Sequence, residues 1–337
     1  MMRHNEGQSM PVTVGQTNFT LPGQIGEPYR GKVADVYSIE HEVGELLAVV
    51  RTDRISAFDV VLPEGIPLKG QVLNQMSVEL LAATRAVAPN WLIESPDPNV
   101  SLGFKAEPFK VEMIVRGYLL GTSWRGYEAG MRDLCSNQLP DGMREFQAFD
   151  APLVTPNTKA ETGHDENITP GQIVESGLAT AAVYDEMAHL AAGLFMEGQA
   201  AASSRGLVLA DTKYEFGRLP TGQIVVIDEV HTPDSSRYYL QSELDVYTSG
   251  QTDQRPTQLS KEFVREWLIE QGFSGQEGQR PPHLPEEFQN EVSSRYVTLY
   301  QQLLGHEFEP ATASSEAARL DTMYQSIAQS LENLRLA

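Results

Sequence analysis

The sequence predicts an α+β chain in two lobes, a smaller strand-rich one at the amino end and a larger α/β one that finishes in helices. Three observations carry this. A length of 337 residues suggests two lobes, and a hydrophobic share of 41% is ample for a sizeable core. Short apolar runs with strand character crowd the chain before about residue 113. After residue 258 the apolar residues recur at helical spacing instead. The lobes are expected at 28–113 and 114–337, with closing helices over about 258–337 and a loosely held, flexible lead-in over 1–27.

Taken in order, residues 29–39 and 45–51 read as strands turning at Glu42-Val43-Gly44. Gly31-Lys32, near the start of the first, is either a turn glycine with a surface lysine or a point where backbone and ammonium approach a phosphate. Residues 51–59 form a polar loop pinned by Ile55 and Phe58; its charges suit ordinary surface or an anionic substrate equally. Gly65 to Gly70 resembles half of a phosphate-binding loop, but Gln71 and Val72 stand where Lys and Ser or Thr belong, so that reading fails. Residues 71–87 have helical spacing through Val72, Met76, Leu80 and Val87 and should back the amino-terminal sheet.

A strand over 109–118 leads through Gly121-Thr122-Ser123 into a helix expected at 124–134. Free N–H groups and hydroxyls converge there, as a plain helix cap or as an anion seat. Residues 156–167 hold Lys159, Glu161, His164, Asp165 and Glu166 with nothing apolar larger than Ala160. They form a flexible polar loop or a lid. Thr169-Pro170 caps helical sequence, and 178–202 is an amphipathic helix with Met187, Leu194 and Phe195 inward. Beyond a polar linker at 248–256, helices follow at 259–271, with Phe263, Trp267 and Leu268 inward, then over 286–304 and 314–336.

Composition removes several function classes. Forty-six acidic against 25 basic residues give a formal net charge of -21, which disfavours wrapping nucleic acid. Cys135 is the only cysteine, so neither an intramolecular disulfide nor a cysteine zinc site can form, as befits a reducing cytoplasm. No apolar run approaches the roughly 18 residues of a spanning helix, so no membrane is expected. No two histidines stand four residues apart to make a helical metal pair. The partners expected are small molecules, for a monomer or a homodimer.

The densest chemistry lies at 206–239. Strands at 207–217 and 223–230 flank Leu219-Pro220-Thr221-Gly222, and symmetric closure would pair Arg218 with Gln223 and set Lys213 opposite Asp228. Alternation then gives Asp211, Lys213, Glu215 and Asp228 one face, and Ala210, Tyr214, Phe216, Val225 and Ile227 the other. That face is either solvated sheet or a metal-nucleotide site. A magnesium ion takes one or two carboxylates and leaves its other positions to water and phosphates. Glu215 and Asp228 suit such an ion, Lys213 suits phosphate, and Ser235, Ser236 and Arg237 add groups that hold phosphate or carboxylate.

Five collinear stretches, TDRISAFD (52–59), EMIVRGYLLGTSW (112–124), TPNTKAETGHDENI (155–168), LADTKYEFG (209–217) and IDEVHTPDSSRYY (227–239), closely resemble the SAICAR synthetase family of purine biosynthesis in its longer form. The resemblance implies an ATP-dependent ligase joining the carboxylate of carboxyaminoimidazole ribonucleotide (CAIR) to the amine of L-aspartate, with Mg²⁺, plausibly through an acyl phosphate. It implies a kinase-like or ATP-grasp-like fold with ATP in the cleft between the lobes. Another small-molecule kinase or carboxylate-amine ligase on the same scaffold is the alternative.

Carried over position by position, the resemblance implies that Gly31 and Lys32 lie over the ATP phosphates and that Glu112, Met113 and Val115 meet adenine. Lys159 and Lys213 would approach the phosphates, and Glu215 and Asp228 would hold Mg²⁺. Arg116, Thr122, Ser123, Ser236 and Arg237 would hold the ribose phosphate and neighbouring groups, with Arg265 an addition. Asp53, Arg54, Ser56 and Asp59 would handle the imidazole carboxylate or aspartate. Lys213, Asp211 and Arg237 would be catalytic, Asp211 as one acceptor for the amine proton. Ala34 stands where the family commonly has Arg, and Leu259-Ser260 replaces an aromatic-Asp pair, which puts the contacts there in question.

Overall fold

The computed structural model describes residues 12–159 and 166–334. The expected lead-in falls partly, and the centre of the expected lid at 160–165 wholly, outside them. The chain is a mixed α/β protein; among the described residues its strand-to-strand pairs are antiparallel, with one isolated parallel bridge between Asn90 and Val226. The first sheet has the order β1-β2-β3-β7-β6, from β1 (Tyr29–Arg30), β2 (Ala34–His41), β3 (Gly44–Arg51), β6 (Leu92–Asp97) and β7 (Val100–Phe104). Between β3 and β6 run the small pair β4 (Ser56–Ala57) and β5 (Val60–Val61), then helix α1 (Lys69–Ala83).

The second sheet is built on β8 (Glu107–Tyr118) and β13 (Leu207–Arg218), with β11 (Ala148–Val154) and β12 (Asn157–Thr158) on the far side of β8. Strands β14 (Ile224–Ile227) and β15 (Ser236–Leu240) both pair with β13. Helix α2 (Gly121–Glu128), the ribbon β9 (Asp133–Leu134) and β10 (Asn137–Gln138), and helix α3 (Pro170–Glu175) connect these strands. Helix α4 (Ala181–Ser203) packs Met187, Ala191, Leu194 and Phe195 against Met113, Val115, Tyr214 and Phe216, the main core. After β15 come α5 (Gln241–Thr248), α6 (Glu262–Glu270), α7 (Glu286–Leu304) and α8 (Glu316–Asn333).

Local chemistry explains several boundaries. Thr169 caps α3 in a reciprocal box: its hydroxyl accepts from the Gln172 N–H, and the Gln172 side chain accepts from the Thr169 N–H. Helix α7 stops at Gly305, whose φ of 82° closes the last turn. Helix α8 lays Met323, Ile327 and Leu331 against Tyr37, Ile39, Leu46 and Val100, so the last helix closes the outer face of the first sheet.

Several expectations need correction. Residues 12–27 are not a loose lead-in: Val14 and Leu21 are buried with the first sheet, and Thr17 donates to Asp35. A division at 113/114 would cut β8 in half; the first sheet ends at Phe104, and α8 returns to it from the far end of the chain. Helix α1 does back the first sheet, on β3, β6 and β7, where Asn74 bonds Ser95 and Ser101, and it also sends Val72, Met76 and Leu80 into the main core with α7 residues. The helix expected at 124–134 begins at Gly121 and yields to β9 by Asp133.

The hairpin register is off by one. Leu219 N–H donates to the Gln223 carbonyl, leaving Pro220-Thr221-Gly222 as a three-residue loop with Gly222 at φ 90°. Arg218 therefore pairs with Ile224 and Glu215 with Ile227. Ile227 shares the face of Glu215, and Asp228 leaves the strand with φ 64°. A bulge at Ala210 does the rest. Before it Leu207 and Leu209 face the main core; after it Tyr214 and Phe216 do, while Ala210 joins a smaller cluster with Leu120 and Tyr239. The extra residue turns Asp211, Lys213 and Glu215 toward the space between the sheets.

Candidate active site

That space is a cleft of about 1030 Å³, with β1, β2, β3 and the 56–59 loop on one side and β8, β13 and the turn after β14 on the other. It brings together Gly31, Lys32, Ser56, Asp59, Glu112, Arg116, Thr122, Lys159, Asp211, Lys213, Glu215, Asp228, Ser236, Arg237 and Arg265. Five other expected residues stand elsewhere. Met113 and Val115 are core residues; both are paired to β13, and Val115 also stands opposite Val154 of β11. Their side chains lie outside the cleft lining. Ser123 is buried and donates its hydroxyl to the Leu120 carbonyl.

Asp53 and Arg54 build the wall instead of lining it. Asp53 accepts from the N–H groups of Val14 and Gly70 at 2.7 and 2.8 Å, and burial pushes its carboxyl up to about 6 against those bonds. Arg54 donates to the carbonyls of Gly15, Gly31 and Ala34 and to Asp35, which fixes the shape of the Gly31 loop. The loop tip carries Lys32, ion-paired with Asp59 across the cleft mouth.

Three charge clusters line the cleft. In the first, Lys213 Nζ donates to Glu112 Oε1 at 2.8 Å and Glu215 Oε1 at 3.1 Å, while Lys159 bonds Glu215 Oε2. Burial raises Glu215, but the two ammoniums outweigh it and hold the carboxyl down at about 2. Burial lowers Lys213, yet Glu215, Glu112 and Asp228 together lift it well above the usual lysine value. Arg51 bridges Asp228 Oδ1 at 2.8 Å and Glu229 Oε2 at 3.2 Å. Trp91 Nε1 donates to the Asp228 carbonyl, which pins its left-handed backbone. Four carboxylates, Glu112, Glu215, Asp228 and Glu229, thus meet three cations, Lys159, Lys213 and Arg51, a formal excess of one negative charge.

That donor set fits a divalent ion. Glu215 faces Ile227 across the ladder, so Asp228, the next residue, stands beside it with its side chain 39% exposed. Among the described residues no group of three His, Cys, Asp or Glu ligands converges. An ion here would take two carboxylates and complete its shell with water and phosphate oxygens.

The second cluster has the opposite balance. Asp211 Oδ2 accepts from Arg116 Nη1 at 3.1 Å and Arg237 Nη1 at 2.9 Å, and Glu262 pairs with Arg237 and Arg265. Three guanidiniums meet two carboxylates beside Thr122 and Ser236. In the third, Lys69, Lys261 and Asp234 lie under Ser56. Between the clusters and the open rim is an apolar corner of Val36, Leu47, Val49, Ala106, Pro108 and Ile227.

Trp91, Glu229, Asp234 and Lys69 are not legible as site residues from sequence, Arg51 enters only as part of the 51–59 loop, and Lys261 only as a family position beside the departing Leu259-Ser260. Each acts through a partner far along the chain, Arg51 through one 177 residues away, and no local pattern signals that.

A SAICAR synthetase family model matches residues 27–282. The phosphoribosylaminoimidazole-succinocarboxamide synthase of Bacteroides thetaiotaomicron is 49% identical over 308 residues, 91% of this chain and 96% of that protein. That of Flavobacterium psychrophilum is 47% identical over 92% of this chain and 96% of its own length. Among solved structures, the Saccharomyces cerevisiae SAICAR synthase complexed with SAICAR superposes with a TM-score of 0.72 at 29% identity, covering 88% of this chain and all of that one.

Proposed function

This chain belongs to the SAICAR synthetase family, ATP-dependent ligases that join CAIR to L-aspartate, and on that premise we propose how its cleft divides the work. The arrangement is two-lobed and kinase-like, with the first sheet as the smaller lobe, α8 included, and ATP between the sheets. The observation that carries this is the sequence of charge along one cleft: apolar corner, carboxylate-rich cluster, then guanidinium-rich cluster.

Adenine lies in the corner of Val36, Leu47, Val49, Ala106, Pro108 and Ile227, whose flat apolar surface suits a base. Its phosphates run under the Gly31-Lys32 loop toward Lys159 and Lys213. Glu215 and Asp228 hold Mg²⁺, which when bound draws the phosphate oxygens together and offsets their charge. The ribonucleotide phosphate lies at Arg116, Thr122, Ser236 and Arg237, planar forks and hydroxyls matched to a phosphate's several acceptors.

The reaction then follows from placement. A carboxylate resists attack by an amine, so a CAIR carboxylate oxygen first takes the γ-phosphoryl group and ADP leaves. The aspartate nitrogen attacks the resulting acyl carbon, loses a proton, and expels inorganic phosphate. Lys213 offsets charge on the transferring phosphoryl oxygens, and the walls exclude the water that would hydrolyse the acyl phosphate. Asp211 carries two guanidiniums on one oxygen, so it serves best as the strut orienting Arg116 and Arg237, and the departing phosphate is the better proton acceptor.

The test is an ATP-consumption assay that requires both CAIR and aspartate, with Arg237→Ala beside the native chain. The variant should lose CAIR affinity far more than ATP affinity. Equal loss for both substrates would refute the division.

A further inference from the structure

The loop at Gly31-Lys32 is held from behind by one side chain. Arg54 Nη2 donates to the carbonyls of Gly31 at 2.9 Å and Ala34 at 3.0 Å, and its Nε reaches the Lys32 carbonyl at 3.4 Å. Three carbonyls of one short loop are thus drawn onto a guanidinium that lies outside the cleft lining. A trans peptide points its N–H opposite to its carbonyl. The N–H groups of Lys32 and Val33 therefore face away from Arg54, on the side of the cleft that both residues line. Neither has an acceptor among the described residues. Successive free N–H groups, with the carbonyls turned back, make a concavity for an anion. With the carbonyls swung forward, the same loop would show its negative ends to a phosphate.

Arg54 is fixed in turn by chain that precedes the first sheet. Its Nη1 donates to the Gly15 carbonyl at 2.6 Å, and its Nη2 to Asp35 Oδ1 at 2.9 Å. Asp35 is fully buried, and its other oxygen accepts from the N–H and the hydroxyl of Thr17 at 2.7 and 2.8 Å. Val14 N–H holds Asp53, the residue before Arg54. None of residues 14–17 lines the cleft.

We propose that Arg54, clamped by residues 14–17 and Asp35, is the positioning residue of the nucleotide loop and sets the Lys32 and Val33 N–H groups for the ATP phosphates. The inference rests on the ATP placement proposed above. It gives Arg54 no contact with CAIR or aspartate, because each of its three nitrogens already donates inside the wall.

The test is steady-state kinetics of Arg54→Met and Arg54→Lys, with ADP and adenosine as competitors of ATP. In Arg54→Met the KM for ATP should rise about ten- to hundredfold, the span of charge-assisted hydrogen bonds. The KM values for CAIR and aspartate should stay within about twofold. Arg54→Lys should recover part of the loss, since an ammonium lacks the fork that reaches all three carbonyls. ADP should weaken in step with ATP, whereas adenosine, which has no phosphates, should inhibit the variants as it does the native chain. Thr17→Val keeps the N–H bond to Asp35 and removes only the hydroxyl; it should move the ATP KM the same way by less, without taking a charge out of the wall.

A native KM for ATP in Arg54→Lys and Thr17→Val, equal weakening of ADP and adenosine, or a rise confined to CAIR or aspartate overturns the assignment while the ligase reading stands. If the native chain couples no ATP consumption to CAIR and aspartate, the ligase reading fails and takes the assignment with it.

Discussion

Arg51 grips Asp228 across the cleft, Nη2 donating to Oδ1 at 2.8 Å, with the neighbouring Nη1 3.2 Å from Glu229. The guanidinium is nearly inaccessible, so it aims the carboxylate from behind and leaves the other face of Asp228 open to the cleft. Groups that orient a metal carboxylate typically matter by about 10–100-fold. Arg51→Met should lower kcat/KM by that order and shift the magnesium dependence of the rate, with Arg51→Lys recovering only part because an ammonium cannot span both carboxylates. A magnesium titration of the coupled assay checks this; an unshifted midpoint in Arg51→Met would sink it.

Gly121 is where a turn meets the Arg237 side chain. Its φ is 59°, and a Cβ there would come within 2.6 Å of Arg237 Nη1. Gly121→Ala should therefore cost about 1–2 kcal/mol in backbone strain and also push the guanidinium out of line. Misplacement by about an ångström can lose on the order of a hundredfold in rate. We expect a raised CAIR KM and a lowered kcat with ATP affinity retained. A variant that merely melts earlier, with native CAIR kinetics, would show that Arg237 has room to yield.

The candidate site is legible wherever its residues are neighbours in sequence. Asp211, Lys213 and Glu215 share a face because strands alternate, and Ser236 and Arg237 are adjacent residues that β15 sets opposite Thr212 and Asp211. The hairpin register was not legible, because whether Leu219 closes the loop or belongs to it depends on Gly222 adopting positive φ. The bulge at Ala210 left no signature either, since alanine suits both sides of it. Asp53 and Arg54 read as ligands because charged loop residues usually face solvent. Here they satisfy backbone groups of a packed amino-terminal segment, and that segment had looked too polar to pack. Strands β6, β7 and β11 escaped because their sequences alternate weakly and are defined by partners.

His231 is buried with positive φ, its Nε2 2.6 Å from the Tyr214 hydroxyl and its ring against Gly198. Burial lowers the imidazole to about 4. A base whose folded value is depressed contributes stability above its unfolded value near 6.5, and that stability is lost as pH falls toward about 4. The full loss would be about 3 kcal/mol. In a proton NMR titration the His231 ring signal should stay neutral from pH 8 to 5. That of exposed His306, raised by its bond to Glu79, should titrate above the ordinary histidine range. A His231 midpoint near 6.5 would contradict the buried pairing.

Arg319 fixes α8 to the first sheet. Its guanidinium reaches Asp97 at 2.7 Å and Asn99 Oδ1 at 2.7 Å, all three buried, and Asn99 Nδ2 in turn donates to the Arg51 carbonyl at 2.8 Å. Removing one member of a buried pair strands the other, at a cost of about 3–5 kcal/mol. Arg319→Met should lose stability of that order in urea unfolding, and adding Asp97→Asn should restore part of it by removing the stranded charge. Because the network ends on the backbone of Arg51, the single variant should also weaken magnesium dependence in the direction of Arg51→Met. Stability lost with the magnesium midpoint unmoved would mean that α8 braces the sheet without reaching the cleft.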